Sequence, residues 1–455
     1  MKRRGAWAAL LPVFSFLASL PAGQTPSLLE PPPAIKPLLK GDWSIAGRAP
    51  AIELFRLPLD PIKDSAPPAG ETTRQWTVWG QGMIDPATGR VYGAVGDLAG
   101  RDARIHIVVF DPRTKKISLS SEINASLGAR PGAFADGKIH GRLGLYGGPW
   151  LWFCTYWAKY PEPSAEDYAT GYRGGRIGRY NVQTGEVVDE GVPLPRASWP
   201  SHLVDERRGR LYAAGHFGEF LAWDIEAKKI LFAGRPPAGL IWGNRVLLLD
   251  EKTGSVYSSN TDGNDPSYHL LRYDPAGNRI EKLALPMPPN EKGERGPIRA
   301  HTARRGPDGL FRAVTQNGVL FAFDPEKRTI APLGICWPGQ RRYTTSMASS
   351  PGGRYLYYLP GAHGDSFFEG SPLVQYDTRL NRFKVLAFLG PSLLSKYGYL
   401  VGGTYSVVAD PRDGTLYILM NGAVRDPNDA GPLPKEAFGA PVLLVVSIPE
   451  EDRRE

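Results

Sequence analysis

The chain has 455 residues, 42% hydrophobic, 11% aromatic and 22% charged, with 53 Gly, 43 Pro and two Cys. Gly and Pro stay below the low-complexity range and the aromatics argue against disorder; collagen, coiled-coil and disulfide scaffolds are excluded. The formal charge of +8 includes Lys2, Arg3 and Arg4, so the remainder is too small for this size to point to nucleic acid, yet it suits an anionic ligand.

The N-terminus comes first. Lys2, Arg3 and Arg4 precede an uncharged apolar run from Trp7 to Leu20, and Pro21-Ala22-Gly23 supplies the small residues of a cleavage site. Residues 1–23 therefore read as an export signal. The run is about 14 residues, against the ~20 of a membrane span. A secreted or periplasmic protein with no span after signal removal is expected. Residues 24–43 are Pro-rich, and Pro26–Pro37 reads as a linker without packed structure. Outside the cytoplasm a disulfide between Cys154 and Cys336 is permitted, but two Cys make no framework. Buried free thiols are the simpler expectation.

From there one pattern recurs: a Gly turn, a short apolar strand usually holding Tyr, a loop, then a strand ending aromatic-Asp. The clearest copies are 87–95 with 108–117, 207–215 with 221–230, 252–259 with 270–280, 307–314 with 320–330, and 352–359 with 373–383. Looser copies are 147–155 with 177–187 and 412–420 with 443–448. The markers fall at Asp111, Asn181, Asp224, Asp274, Asp324, Asp377 and Ser447. A unit of ~40–50 residues with several short strands is the size of one propeller blade, allowing for insertions. The last unit lacks a fourth strand, and the orphan segment AIELFRLPL (51–59) can supply it, closing the ring and removing two open edges. The expectation is all-β: one seven-bladed β-propeller over 44–450, closed by an N-terminal strand, with a charged tail at 451–455. It is expected to be a monomer.

Aligning the units on their turn Gly places His140, His202 and His301 at the start of innermost strands. His216 and His363 follow second strands on the same face, whereas His106 and His269 precede third strands, farther from the axis. Arg142, Tyr156, Trp157, Tyr172, Arg173, Arg299, Arg341, Arg342 and Tyr343 share the loops of that face. Such a set suits general acid–base work on an anionic substrate. Any one of these His taken alone reads as a hydrogen-bonded structural residue; shared register is what singles them out. Asp262, Asp265 and Asp365 sit in Gly-rich turns and read as turn caps. No GxGxxG, P-loop, nucleophile elbow, HExxH or CxxCH is present.

GKIHGRLGLYGGPWLWFCTYW (137–157), GYRGGRIGRYNVQTGE (171–186) and RRGRLYAAGHFGEFLAWD (207–224) resemble the seven-bladed propeller polysaccharide lyases, the ulvan lyases most and oligogalacturonate lyase more distantly. The resemblance implies β-elimination on a uronate-containing polysaccharide. A base takes the C5 proton, an acid protonates the leaving oxygen, and a third group holds the carboxylate. His140 matches the KIH-type histidine, the candidate base. The family's second histidine is replaced around Thr155-Tyr156. Tyr156 or Tyr172 would then be the acid, with Arg173 or His216 at the carboxylate and Arg142, Arg299, Arg342 and Tyr343 as further substrate contacts. The oligogalacturonate-lyase likeness also implies a divalent metal, with His202, His301 and His363 beside His140 as ligands; Cys336 with His301 and His363 is a zinc alternative. The competing reading is a non-catalytic propeller that binds glycan or protein.

Overall fold

The Asp of each repeat sets the hairpin that follows it. Asp324 Oδ1 accepts the Glu326 and Lys327 N–H groups at 2.9 and 3.0 Å. Asp377 Oδ1 accepts those of Arg379 and Leu380, and Asn181 Oδ1 does the same for Gln183 and Thr184. The residue four places after the marker then turns left-handed: Lys115, Lys228, Asn278, Arg328 and Asn381 all have φ between 47° and 55°. Such a conformation disfavours most side chains, so the capped turn holds it in place. The preceding hairpins end on a positive-φ glycine, as at Gly209 (φ 59°) and Gly254 (φ 77°).

These turns stack strands into seven sheets. The computed structural model describes residues 27–59, 76–157, 162–429 and 431–455. Blades one to seven occupy 83–119, 144–191, 201–234, 248–282, 298–335, 347–388 and 399–447, each running in chain order from an inner strand outward. The expected closure is present. Ala51–Arg56 pairs antiparallel with Val442–Ser447 in blade seven, Ala51 opposite Ser447 and Arg56 opposite Val442. Ile52 and Leu54 pack beside blades six and seven, and Phe55 packs toward blade one, its ring 5.0 Å from Phe110.

Three features depart from the sequence reading. The described part of the supposed linker is packed: Ile35 is 3% exposed beside Trp337 and Phe388, and the Leu28 carbonyl accepts the Phe388 N–H at 2.7 Å. Trp43–Ile45 then adds a fifth strand to blade six, parallel to Arg382–Phe388, with Trp43 stacked 4.5 Å from Phe383. Apolar side chains between the prolines gain a surface to cover, and Pro has less chain entropy to lose on docking. The charged tail also docks: Glu450–Arg453 is helical and the buried Asp452 accepts from Lys384 Nζ at 2.6 Å. Finally, Leu389–Tyr397 is a nine-residue helix between blades six and seven that the strand pattern did not announce. The export signal, 1–23, lies outside the described residues. No described helix is long and apolar enough to cross a membrane.

Both cysteines are free and fully buried. Burial lifts the Cys336 thiol to about 12 and Cys154 well above its usual value. Since the thiolate is the reactive form, a colorimetric thiol titration should find neither group in the folded protein and both in denaturant. Rapid labelling of the folded chain would contradict the packing.

Candidate functional site

The chain enters each inner strand at one end of the axis, and these entry segments bring the site together. Trp79, leading into blade one, is its hub. The Lys138 ammonium lies 4.0 Å from the indole centroid, Tyr405 meets it edge-on at 4.4 Å, Phe438 stacks at 5.9 Å, and His140 and His363 each lie 6.3 Å away. Lys138 is held by reciprocal backbone bonds to Tyr156 at 3.0 and 2.8 Å. Gly141 lets the next inner strand come close, because a Cβ there would sit 2.1 Å from His202 Nδ1.

Cations crowd this mouth. Arg245 Nη1 lies 2.8 Å from His140 Nε2, Arg299 bonds the Tyr343 hydroxyl through Nε, and its guanidinium lies 4.9 Å from that ring. Burial, then Arg245, Lys138 and Arg299, hold the His140 pKa well below its ordinary value. The neutral ring accepts from Arg245, so its Nε2 lone pair is already engaged. Beside it, the Tyr156 hydroxyl lies 3.0 Å from His216 Nδ1, and His216 Nε2 lies 3.5 Å from Glu162. Burial raises the Tyr156 pKa, with Arg245 pulling it back.

The expected set therefore divides. His140, Tyr156, His216, Arg299, Tyr343 and His363 gather at the mouth. Arg142, His202 and His301 lie one layer deeper; His202 and His301 hold equivalent places, opposite Ala213 and Ala313. Together with His140 they line one axial cavity. Tyr172 and Arg173 lie elsewhere, in a side cleft of about 190 Å³. There the Tyr172 hydroxyl donates to buried Asp136 at 2.6 Å, and burial with Asp136 lifts its pKa far above the usual value. Tyr172 is thus a clamp on Asp136, packed against Phe134, Tyr156 and Trp157. Arg342 turns outward to Glu291. Asp262 caps Asn264 N–H at 2.8 Å, as its turn setting suggested, and Asp365 pairs with Arg341 at 2.9 Å.

The metal reading does not fit the donors present. Among the described residues no group of three or more His, Cys, Asp or Glu is placed to hold a metal. His202 Nδ1 accepts the Cys154 N–H at 3.4 Å and His301 Nδ1 accepts Ala303 N–H at 2.9 Å. His363 stands among Tyr343, Trp79 and Tyr405. The Cys336 thiol donates to the Arg342 carbonyl. Arg142, Arg245 and Arg299 would moreover repel a dication.

Four mouth residues were missed: Trp79, Lys138, Arg245 and Tyr405. Each of Trp79, Arg245 and Tyr405 lies nine or ten residues before its turn glycine (Gly89, Gly254, Gly414). That count finds them once the alignment is freed from histidine.

No family model matches the chain, and no curated protein matches its sequence. Among solved structures, it is similar to the WD40 repeats of RRP9, with a TM-score of 0.51 and 11% identity over 88% of this chain and 99% of that one. At that identity the likeness speaks for fold alone. Taken with the seven sheets, it makes the chain a seven-bladed β-propeller.

Proposed function

We propose that the protein is an exported binding propeller whose axial mouth takes the carboxylate of an acidic saccharide. The observation that carries the reading is the set of cations at the mouth: Lys138, Arg245 and Arg299 converge on His140, while among the described residues no Asp or Glu lines the axial cavity. Guanidinium groups without a carboxylate partner suit a planar anion. Tyr343 with His363, their rings 4.9 Å apart, and His216 with the exposed Phe217, 4.7 Å from it, offer apolar faces for the sugar. Export rests on residues 1–23.

The Tyr156–His216 contact favours a second reading, β-elimination. There a base takes the C5 proton, the C4–O bond breaks as the C4–C5 double bond forms, and an acid protonates the departing oxygen. His140 serves as base only after a ligand carboxylate draws Arg245 from its Nε2. Tyr156, paired with His216, would be the acid.

One calorimetric panel tests both, using polygalacturonate, ulvan and glycosaminoglycan oligomers while absorbance follows the unsaturated uronate product. Binding is expected for at least one polymer. A hydrogen bond to a charged group contributes ~1.5–3 kcal/mol, so Arg245→Ala and Arg299→Ala should each weaken it by about 10–100-fold. Arg173→Ala and Arg342→Ala, outside the mouth, should leave it unchanged. Equal losses from all four variants, or no binding by folded protein, would defeat the proposal. Product absorbance that disappears in His140→Ala would establish elimination.

A further inference from the structure

Below the mouth the inner strands close around a cavity of about 20 Å³, lined by Gln81, Arg142, Ser201, His202, Arg299 and His301 among others. Roughly 10–15 Å³ suffices for one water-sized occupant, so no sugar ring enters. The hydrogen-bonding groups here are unbalanced. Because His202 Nδ1 accepts the Cys154 N–H, its ring proton lies on Nε2, which has no partner among the described residues although His202 is 1% exposed. His301 has the same tautomer, since its Nδ1 accepts Ala303 N–H. Arg142 Nε is also buried without a partner.

Acceptors are scarce. The Gln81 oxygen already accepts the Ser346 hydroxyl at 2.6 Å, and its nitrogen donates to the Thr345 carbonyl at 3.2 Å. Among the described residues no carboxylate lines the space. A buried donor left unmade costs ~1–3 kcal/mol, and several face one small volume. A water would accept from them but bring two hydrogens of its own for the Ser201, Thr345 and Tyr405 hydroxyls to receive, and the Tyr405 hydroxyl, buried without a partner among the described residues, adds a further donor. A monatomic anion accepts from every donor and needs none in return, and the surrounding guanidinium charge favours it.

We propose that this cavity binds a single halide ion, chloride in solution, held by the Nε2–H groups of His202 and His301 and the Nε–H of Arg142. The ion would tie together the inner strands of blades two, three and five. Burial holds His202 to about 3, and burial with Arg142 and Arg299 does the same for His301. Both therefore remain neutral N–H donors near neutrality. His140, Arg245 and Arg299 of the mouth also border this cavity, but the ion takes donors that the saccharide reading does not use, so either ligand can bind without the other.

Bromide is the direct probe. Crystals of the full chain soaked in sodium bromide should show an anomalous peak in the axial cavity, within hydrogen-bond distance of His202 Nε2 and Arg142 Nε. Bromide peaks confined to the protein surface, with a water or nothing in the cavity, would overturn the proposal. In solution, replacing gluconate by chloride at constant ionic strength should raise the melting midpoint saturably. Arg142→Gln should abolish that response, and Arg173→Ala, in the side cleft, should keep it. A chloride response unchanged in Arg142→Gln would equally overturn the assignment. Should that variant fail to fold, the wild-type bromide map decides.

Discussion

A chain beginning at residue 58 is expected to lose its closed ring and to aggregate, whereas one beginning at residue 47 should stay folded. The two truncations differ by the strand Ala51–Arg56. The longer chain loses the fifth strand of blade six, the Trp43–Phe383 stack and the docked Ile35 and Ala46, all of them additions to a sheet that is already complete. The shorter one also removes Ile52, Leu54, Phe55 and Leu57 from two interblade cores. The first three are only partly buried and Leu57 is buried, so their combined loss is on the order of 5 kcal/mol. That is comparable to the whole net stability of a domain. It also strips Val442–Ser447 of its six-residue pairing, leaving an unpaired edge of the kind that recruits other chains. Size-exclusion chromatography and thermal melts of the two truncations check the expectation. A permutant starting at residue 76, with 50–57 joined after 448 by a short turn, should restore the monomer, because the strand runs antiparallel to its neighbour. Cooperative, monomeric folding of the 58–455 chain would show that the ring closes without this strand.

The closing strand was legible because its signal is local. Alternation in 51–59, a last repeat one strand short, and Asp-capped turns at fixed places each follow from neighbours in sequence. The site was only partly legible, because what converges on an axis comes from seven distant segments that share register and not residue type. Aligning on histidine found His140, His202 and His301 but passed over Arg245 and Trp79, which hold comparable entry positions in blades four and one. Tyr172 was misplaced for another reason. It follows an insertion between strands whose path the ring does not dictate, and buried Asp136 claimed its hydroxyl. Arg342 and Tyr343 are neighbours, yet only Tyr343 reaches Arg299, while Arg342 is taken by Glu291. The Pro-rich segment hid its packing because Leu28, Ile35 and Trp43 are too widely spaced to form a periodic pattern.

The axial histidines should also make the propeller unusually sensitive to acid. His140 and His202 are 7% and 1% exposed, and all three axial histidines are held neutral: His202 and His301 at about 3, His140 well below its ordinary value. In the unfolded chain each takes up a proton near pH 6.5. Their folded pKa values are depressed, so the stability they contribute is complete above about pH 6.5 and is lost as the pH falls toward the folded values. Between those limits the unfolded state binds up to three more protons, and stability falls by ~1.4 kcal/mol per pH unit for each fully neutral histidine. His301 opens onto the cavity, and solvent there trims its share, so His202 and His301 give a slope of roughly 2–3 kcal/mol per unit from pH 6 to 4.5, and His140 adds to it in the same direction. Two units of acidification then approach the net stability of a typical domain. Carboxylates held low by ion pairs, such as Asp308, Asp377 and Asp410, add their loss only below that window, because they stay ionised in both states above it. Urea midpoints measured at intervals from pH 7.5 to 4.5 give the slope. His202→Gln, which cannot titrate, should lower it by about 1.4 kcal/mol per unit. A wild-type curve flat across this range would mean that the axial imidazoles take up protons as readily in the folded ring as outside it, and the buried neutral layer would have to be redrawn.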